Sequence, residues 1–139
     1  MKLKRKDFQE LARLRLKEAQ TLVRAGCWEG GYYLAGYAVE CAFKACIARV
    51  TERNEFPELE RVRSSYTHDL EKLLRVAKLH DPLAEAMRRE TQLAFNWALV
   101  TQWSEEARYR RHSEADATTL FMAIRDRKYG VLSWLKKRW

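Results

Sequence analysis

The sequence predicts an all-α fold, an antiparallel up-and-down bundle of about five helices, and three observations carry that expectation. Apolar residues recur at three- and four-residue steps through several segments, the period of an α-helix with one buried face. Helix breakers are scarce, with five Gly and two Pro in 139 residues, and both prolines fall outside the periodic segments. Hydrophobic residues make up 47% and aromatic residues 12%, enough to bury a core and too much for a disordered chain. The length fits a single domain over residues 1–139 that needs neither metals nor disulfides.

The elements follow in order. Phe8, Ala12, Leu16, Ala19 and Val23 share one face, and Gly26 stops the run, so helix 1 is expected over about residues 5–25. Glu29-Gly30-Gly31 reads as a tight connection, and Tyr32 to Arg53 as a second helix that is apolar almost all round and therefore central. Within it Glu40 and Lys44 are one turn apart, acid first, the favourable order for a helical ion pair. Residues 54–66 form a polar, basic connection. Thr67 is positioned to cap helix 3, with Asp69 and Glu71 in its first turn and Leu70, Leu73, Leu74 and Ala77 inward. Asp81-Pro82 opens helix 4, which runs to about Trp103 with Leu83, Met87, Ala94 and Trp97 inward. Ser104 to His112 is a charged loop. Ser113-Glu114-Ala115-Asp116 is a capping-box pattern that starts a last helix, bent or weakened at Gly130.

Composition narrows the function classes. The net charge of +8 favours polyanionic partners, because Lys and Arg displace counterions from phosphates. Three basic clusters stand apart: Lys2, Lys4, Arg5 and Lys6; Arg108, Arg110 and Arg111; Lys136, Lys137 and Arg138. Cys27, Cys41 and Cys46 are odd in number and lack metal-ligand spacing, which suits free thiols in the cytoplasm. No signal peptide opens the chain. The most apolar stretch, Gly30 to Val50, holds Glu40, Lys44 and Arg49, so it reads as a core helix and no membrane association is expected. Gly30-Gly31 lacks the Lys-Ser/Thr of a phosphate-binding loop, and no cofactor or metal is expected.

Tyr32 to Ala45, with its core Ala38-x-Glu40-x-Ala42-x-Lys44-Ala45, resembles the second helix of HEPN domains, the helical nucleotide-binding domains of higher eukaryotes and prokaryotes. The Ala25-Gly26-x4-Gly31-Tyr32 turn, Thr67-His68-Asp69-Leu70 and Arg108-Tyr109 follow in the family's order, so the resemblance spans most of the chain. It implies a bundle that commonly forms homodimers. Many members work beside a minimal nucleotidyltransferase in a toxin–antitoxin module and meet nucleotide or RNA. On this resemblance Glu40, Lys44, Tyr37 and Tyr109 are structural signature residues, and Arg108, Arg110, Arg111 and His68 are expected at a nucleotide or RNA contact.

Other members are metal-independent ribonucleases whose signature is Arg, four to six residues, then His. A histidine can take the ribose 2′-hydroxyl proton near neutral pH, and an arginine can hold charge building on the phosphate. Here Arg108 and His112 are the catalytic candidates, with three intervening residues, one short of the pattern. Arg61 and Arg63 with His68, and Arg75 with His80, have the spacing at the wrong place in the layout. Three function classes therefore stand: a nucleotidyltransferase-linked binding component, a dimeric endoribonuclease, and a helical interaction scaffold.

Overall fold

The computed structural model of the chain describes residues 3–52 and 65–139. Among them are seven α-helices, one 3-10 helix and no strand. The helices are α1 (Arg5–Arg24), α2 (Trp28–Glu52), α3 (Leu70–Val76), α4 (His80–Arg89), α5 (Thr91–Val100), α6 (Glu114–Arg125) and α7 (Val131–Lys136). The 3-10 helix, Glu105–Tyr109, lies in what reads from sequence as a loop. The all-α fold is present, with seven α-helices among the described residues where about five were expected. Arg61, Arg63 and most of the basic connection expected over 54–66 lie outside the described residues.

Helix α2 is the spine, packed against α1, α3, α6, α7 and the 3-10 helix. Its small residues let neighbours come close: Ala35, Ala38, Ala42 and Ala45 have no exposed surface. Phe43 fills the centre, meeting Trp97 of α5 edge to face at 6.0 Å and 77°, a favourable aromatic geometry. Gly36 marks the tightest approach, since a Cβ there would fall 2.2 Å from the Trp103 indole. No helix among the described residues is long and apolar enough to cross a membrane.

The extra helices and shifted ends have local causes. Helix α1 closes with Cys27 N donating to Leu22 O at 2.8 Å and Gly26 N to Val23 O at 3.2 Å. Gly26 takes φ +80, the left-handed residue this closure requires. The turn is therefore complete by Cys27, and Gly30 and Gly31 lie inside α2 instead of forming the connection. Asp69, not Thr67, caps α3: Oδ1 accepts from Glu71 N at 3.0 Å and Lys72 N at 3.2 Å, while Thr67 Oγ1 accepts from Asp69 N. The expected fourth helix breaks at Glu90, which is extended at φ −123 and ψ 93, so that Leu83 on α4 and Leu93 and Trp97 on α5 all reach the core. The last helix breaks at Asp126, whose Oδ2 accepts from Tyr129 N at 2.7 Å and whose carbonyl accepts from Gly130 N at 2.9 Å and Ser133 Oγ at 2.6 Å. Ser113 and Asp116 cap α6 reciprocally as the sequence pattern predicts.

Candidate nucleic-acid interface

Glu40 is 1% exposed, and burying a carboxylate is costly unless both oxygens are engaged. Oε2 lies 3.3 Å from Lys44 Nζ, the ion pair that the one-turn spacing predicts. Oε1 lies 2.9 Å from Nδ1 of His68, just before α3. An ionised carboxylate can only accept, so Nδ1 carries the proton. The opposite ring nitrogen, Nε2, is 3.4 Å from Glu105 Oε2 on the 3-10 helix. The ring thus lies between α2, the approach to α3 and the 3-10 helix, hydrogen-bonded to Glu40 and facing Glu105. The groove beside His68, about 450 Å³, is lined by Asp69, Glu71, Glu105 and Glu106 among others. That acidity makes it a poor seat for phosphate.

The arginine-rich segment divides by partner. Arg110 NH2 is 3.1 Å from Glu106 and Arg111 Nε is 3.0 Å from Glu29, all at the surface. Arg108 is exposed and, among the described residues, pairs with no carboxylate. Its guanidinium lies 4.9 Å from the centre of the Tyr109 ring. The oxygen of Tyr109, then that of Tyr33, favours its charged form and raises its pKa above the ordinary value. Tyr109 itself is 79% exposed, so it is a surface ring and takes no part in the core. An aromatic track runs back from this point. Tyr33 stacks toward Trp103 at 6.0 Å and meets Tyr37 at 5.9 Å, and Arg15 lies over Tyr37 at 5.8 Å. Burial, ahead of nearby Cys41 and Glu40, pushes the Tyr37 phenol up.

His112 sits apart from Arg108. Its ring stacks on Tyr32 at 3.8 Å and 13°, and Nε2 donates to the Ala107 carbonyl at 3.3 Å. It lines a cleft of about 310 Å³ with Tyr32, Leu99, Gln102, Asp116 and Thr119. No contact joins Arg108 to His112 within the described residues. His80 opens α4 beside Asp81 at 3.1 Å. No group of three or more His, Cys, Asp or Glu among the described residues could hold a metal ion. Cys41 and Cys46 are buried, and burial pushes both thiols up to about 12.

The structure therefore joins Glu40, Lys44 and His68 in one cluster and sets Arg108 and Tyr109 on an exposed edge. Sequence reading missed Tyr33, Arg15 and Glu105 as members of these sites. Tyr33, Tyr37, Glu40 and Lys44 do recur at helical steps on one face of α2, a signal that was available. Set against family models, curated proteins and solved structures, the chain matches none of them.

Proposed function

We propose that this chain is a HEPN-type helical bundle that binds nucleotide or single-stranded RNA, as the homodimeric helical component of a module with a minimal nucleotidyltransferase. The observation that carries the reading is the exposed Arg108–Tyr109 edge backed by Tyr33. A guanidinium without a carboxylate partner can take a phosphate, and an exposed ring can stack on a base of any identity. The net charge of +8 adds long-range attraction for a polyanion. In this reading the chain works in the cytoplasm, which suits its three free cysteines.

Fluorescence anisotropy with a short single-stranded RNA tests the reading. Affinity should fall steeply with added salt, and Arg108→Ala should weaken binding about tenfold and shallow the salt slope by roughly 0.7. Tyr109→Ala should cost about 1–3 kcal/mol for a stacked base. Arg111→Ala, already paired with Glu29, should change binding less. Wild-type affinity in Arg108→Ala, or binding indifferent to salt, would refute it. Co-purification with the product of a neighbouring nucleotidyltransferase frame tests the module.

Endoribonuclease activity is the second reading, favoured by the cleft at His112. With Nε2 donating to Ala107, the neutral ring keeps Nδ1 as a proton acceptor. Cleavage of structured RNA in EDTA that is lost in His112→Ala supports it, and no cleavage removes it.

A further inference from the structure

We infer that the end of the bundle where α1 begins and α7 finishes is a phosphate-backbone surface for double-helical nucleic acid. This goes beyond the Arg108 edge in both residues and ligand. Tyr33, beside that edge, and Arg49, at this end, are sixteen residues apart on α2, about 24 Å along the helix.

Residues 3–13, 46–52 and 131–139 carry eight Lys or Arg against three Asp or Glu, while the rest of the chain carries nineteen against sixteen. Most of the net charge of +8 therefore belongs to three short segments, and the fold packs them together. Helix α2 packs on both α1 and α7. Arg5, Gln9 and Arg13 follow at one-turn steps on one face of α1, and all three meet Trp139. The Arg5 guanidinium donates to its carbonyl at 2.5 Å and Gln9 Nε2 at 3.2 Å, while Arg13 lies over its ring at 4.8 Å. Arg5 also reaches Glu52 at 3.7 Å. Cys46 Sγ donates to the Leu135 carbonyl at 3.9 Å, and the charges of Arg138, Arg49 and Arg5 all act on that thiol. Two basic clusters from opposite ends of the sequence thus form one patch.

The patch holds cations in reserve. Among the described residues, Lys4, Arg13, Arg49, Lys136 and Lys137 pair with no carboxylate; Arg49 is half-buried and the other four are exposed. Its aromatic rings are already covered. Trp139 is 8% exposed, beneath Arg13 and with Lys136 Nζ at 6.0 Å, and Arg138 lies over Trp134 at 3.7 Å. A guanidinium stacked on a ring keeps its N–H edge for an anion. Leu3 is the one large apolar residue exposed on these three segments among the described residues.

That chemistry selects the ligand. With the rings covered, no base can stack, so the contact is with phosphate and is indifferent to sequence. A purely ionic surface gains most from the densest polyanion, and a duplex carries one charge per about 1.7 Å and releases more counterion per contact than a single strand. A protein interface or a membrane surface wants apolar anchors at its centre, and Leu3 alone supplies little of that.

Fluorescence anisotropy with short blunt-ended RNA duplexes of two unrelated sequences is the test. Five phosphate contacts give a salt slope of about −4.5, an affinity loss of about 500-fold between roughly 50 and 200 mM salt, equal for both duplexes. Lys4→Gln, Lys136→Gln and Lys137→Gln together should reduce the slope to about −1.8, leaving about a twelvefold loss over the same range, with helical circular dichroism and melting unchanged. Arginine at the same three positions should retain binding. Lys72→Gln, Lys78→Gln and Lys128→Gln together remove equal charge from exposed sites elsewhere and should cost less. No duplex binding, equal losses in the two triple variants, or strong preference for one duplex sequence would each overturn the inference. So would capture of the protein by phosphatidylglycerol vesicles through the three lysines without duplex binding, which would assign the patch to a membrane surface. Arg108→Ala separates this claim from the single-strand reading. Duplex binding that survives Arg108→Ala and falls in the lysine triple supports this patch even if that edge binds nothing. Single-strand binding that needs Arg108, with duplex unbound, sinks this patch alone.

Discussion

Replacing Lys44 by Met should destabilise the fold more than neutralising the acid it serves. Glu40 is 1% exposed, and its side chain has no route to water. Lys44 retains 18% of its side-chain surface and His68 44%, so both side chains can turn outward when the carboxylate goes. Breaking a buried pair by removing one partner costs about 3–5 kcal/mol, because the survivor stays charged and dry. His68 remains 2.9 Å from Oε1 in Lys44→Met, which puts the expected loss near the lower bound, about 3 kcal/mol. For 139 residues the unfolding entropy is about 0.3 kcal/mol/K, so the melting temperature should drop by about 10 °C. Glu40→Gln keeps the shape and one acceptor oxygen and should cost about 1–2 kcal/mol. The decisive variant is the double one. Glu40→Gln with Lys44→Met removes the stranded charge and should melt above Lys44→Met alone. Thermal melts by circular dichroism, with urea midpoints as a second measure, check all three. A double variant that melts at or below Lys44→Met would refute the argument that an uncompensated buried carboxylate causes the loss.

Two further outcomes follow from the packing. Gly36→Ala forces a Cβ to 2.2 Å from the Trp103 indole; the ring must move, at a cost of about 3 kcal/mol, read as a lower melting temperature and altered tryptophan fluorescence. The thiols of Cys41 and Cys46 are pushed up to about 12 by burial, so the folded state holds those protons more tightly than the unfolded state. Their contribution is therefore complete below pH 9 and is lost as pH rises toward 12, at up to about 1.4 kcal/mol per pH unit for each thiol. Alkaline melts should show this limb, shallower in Cys41→Ala. In the folded protein at pH 8, iodoacetamide should label exposed Cys27 alone.

Much of the fold was legible because periodicity and composition act locally. The all-round apolar character of α2 announced a central helix, and the one-turn spacing of Glu40 and Lys44 announced their pair. The capping box at Ser113 was legible for the same reason. The breaks at Glu90 and Asp126 were not, since neither carries Pro or Gly at the break itself. What ends these helices is tertiary: Asn96, buried on α5, donates to the Tyr129 carbonyl at 2.9 Å, and that turn exists because Asp126 gathers the backbone around it. The start of α2 misled because a glycine pair reads as a turn, whereas here Gly31 gives room to α1: a Cβ there would fall 2.7 Å from Val23. For the site, His68 is expected from the resemblance at a nucleotide or RNA contact, whereas its partners in the structure are carboxylates 28 and 37 positions away. No spacing rule reaches that far.

The same bridge explains how an exposed arginine can sit on a defined edge. A 3-10 helix of five residues has too few internal bonds to hold itself, and Glu105–Tyr109 carries Arg108 and Tyr109 at its outer end. Three anchors fix it from outside: Glu105 on His68 and so on buried Glu40, Ala107 buried with its carbonyl taken by His112, and Trp103 pressed on Gly36 just before it. Two of those three end on α2. The helix that holds the core together therefore also orients the surface proposed to meet RNA, and the buried acid contributes to both through its two oxygens. One neutralises the spine's own lysine, and the other reaches through His68 to the edge.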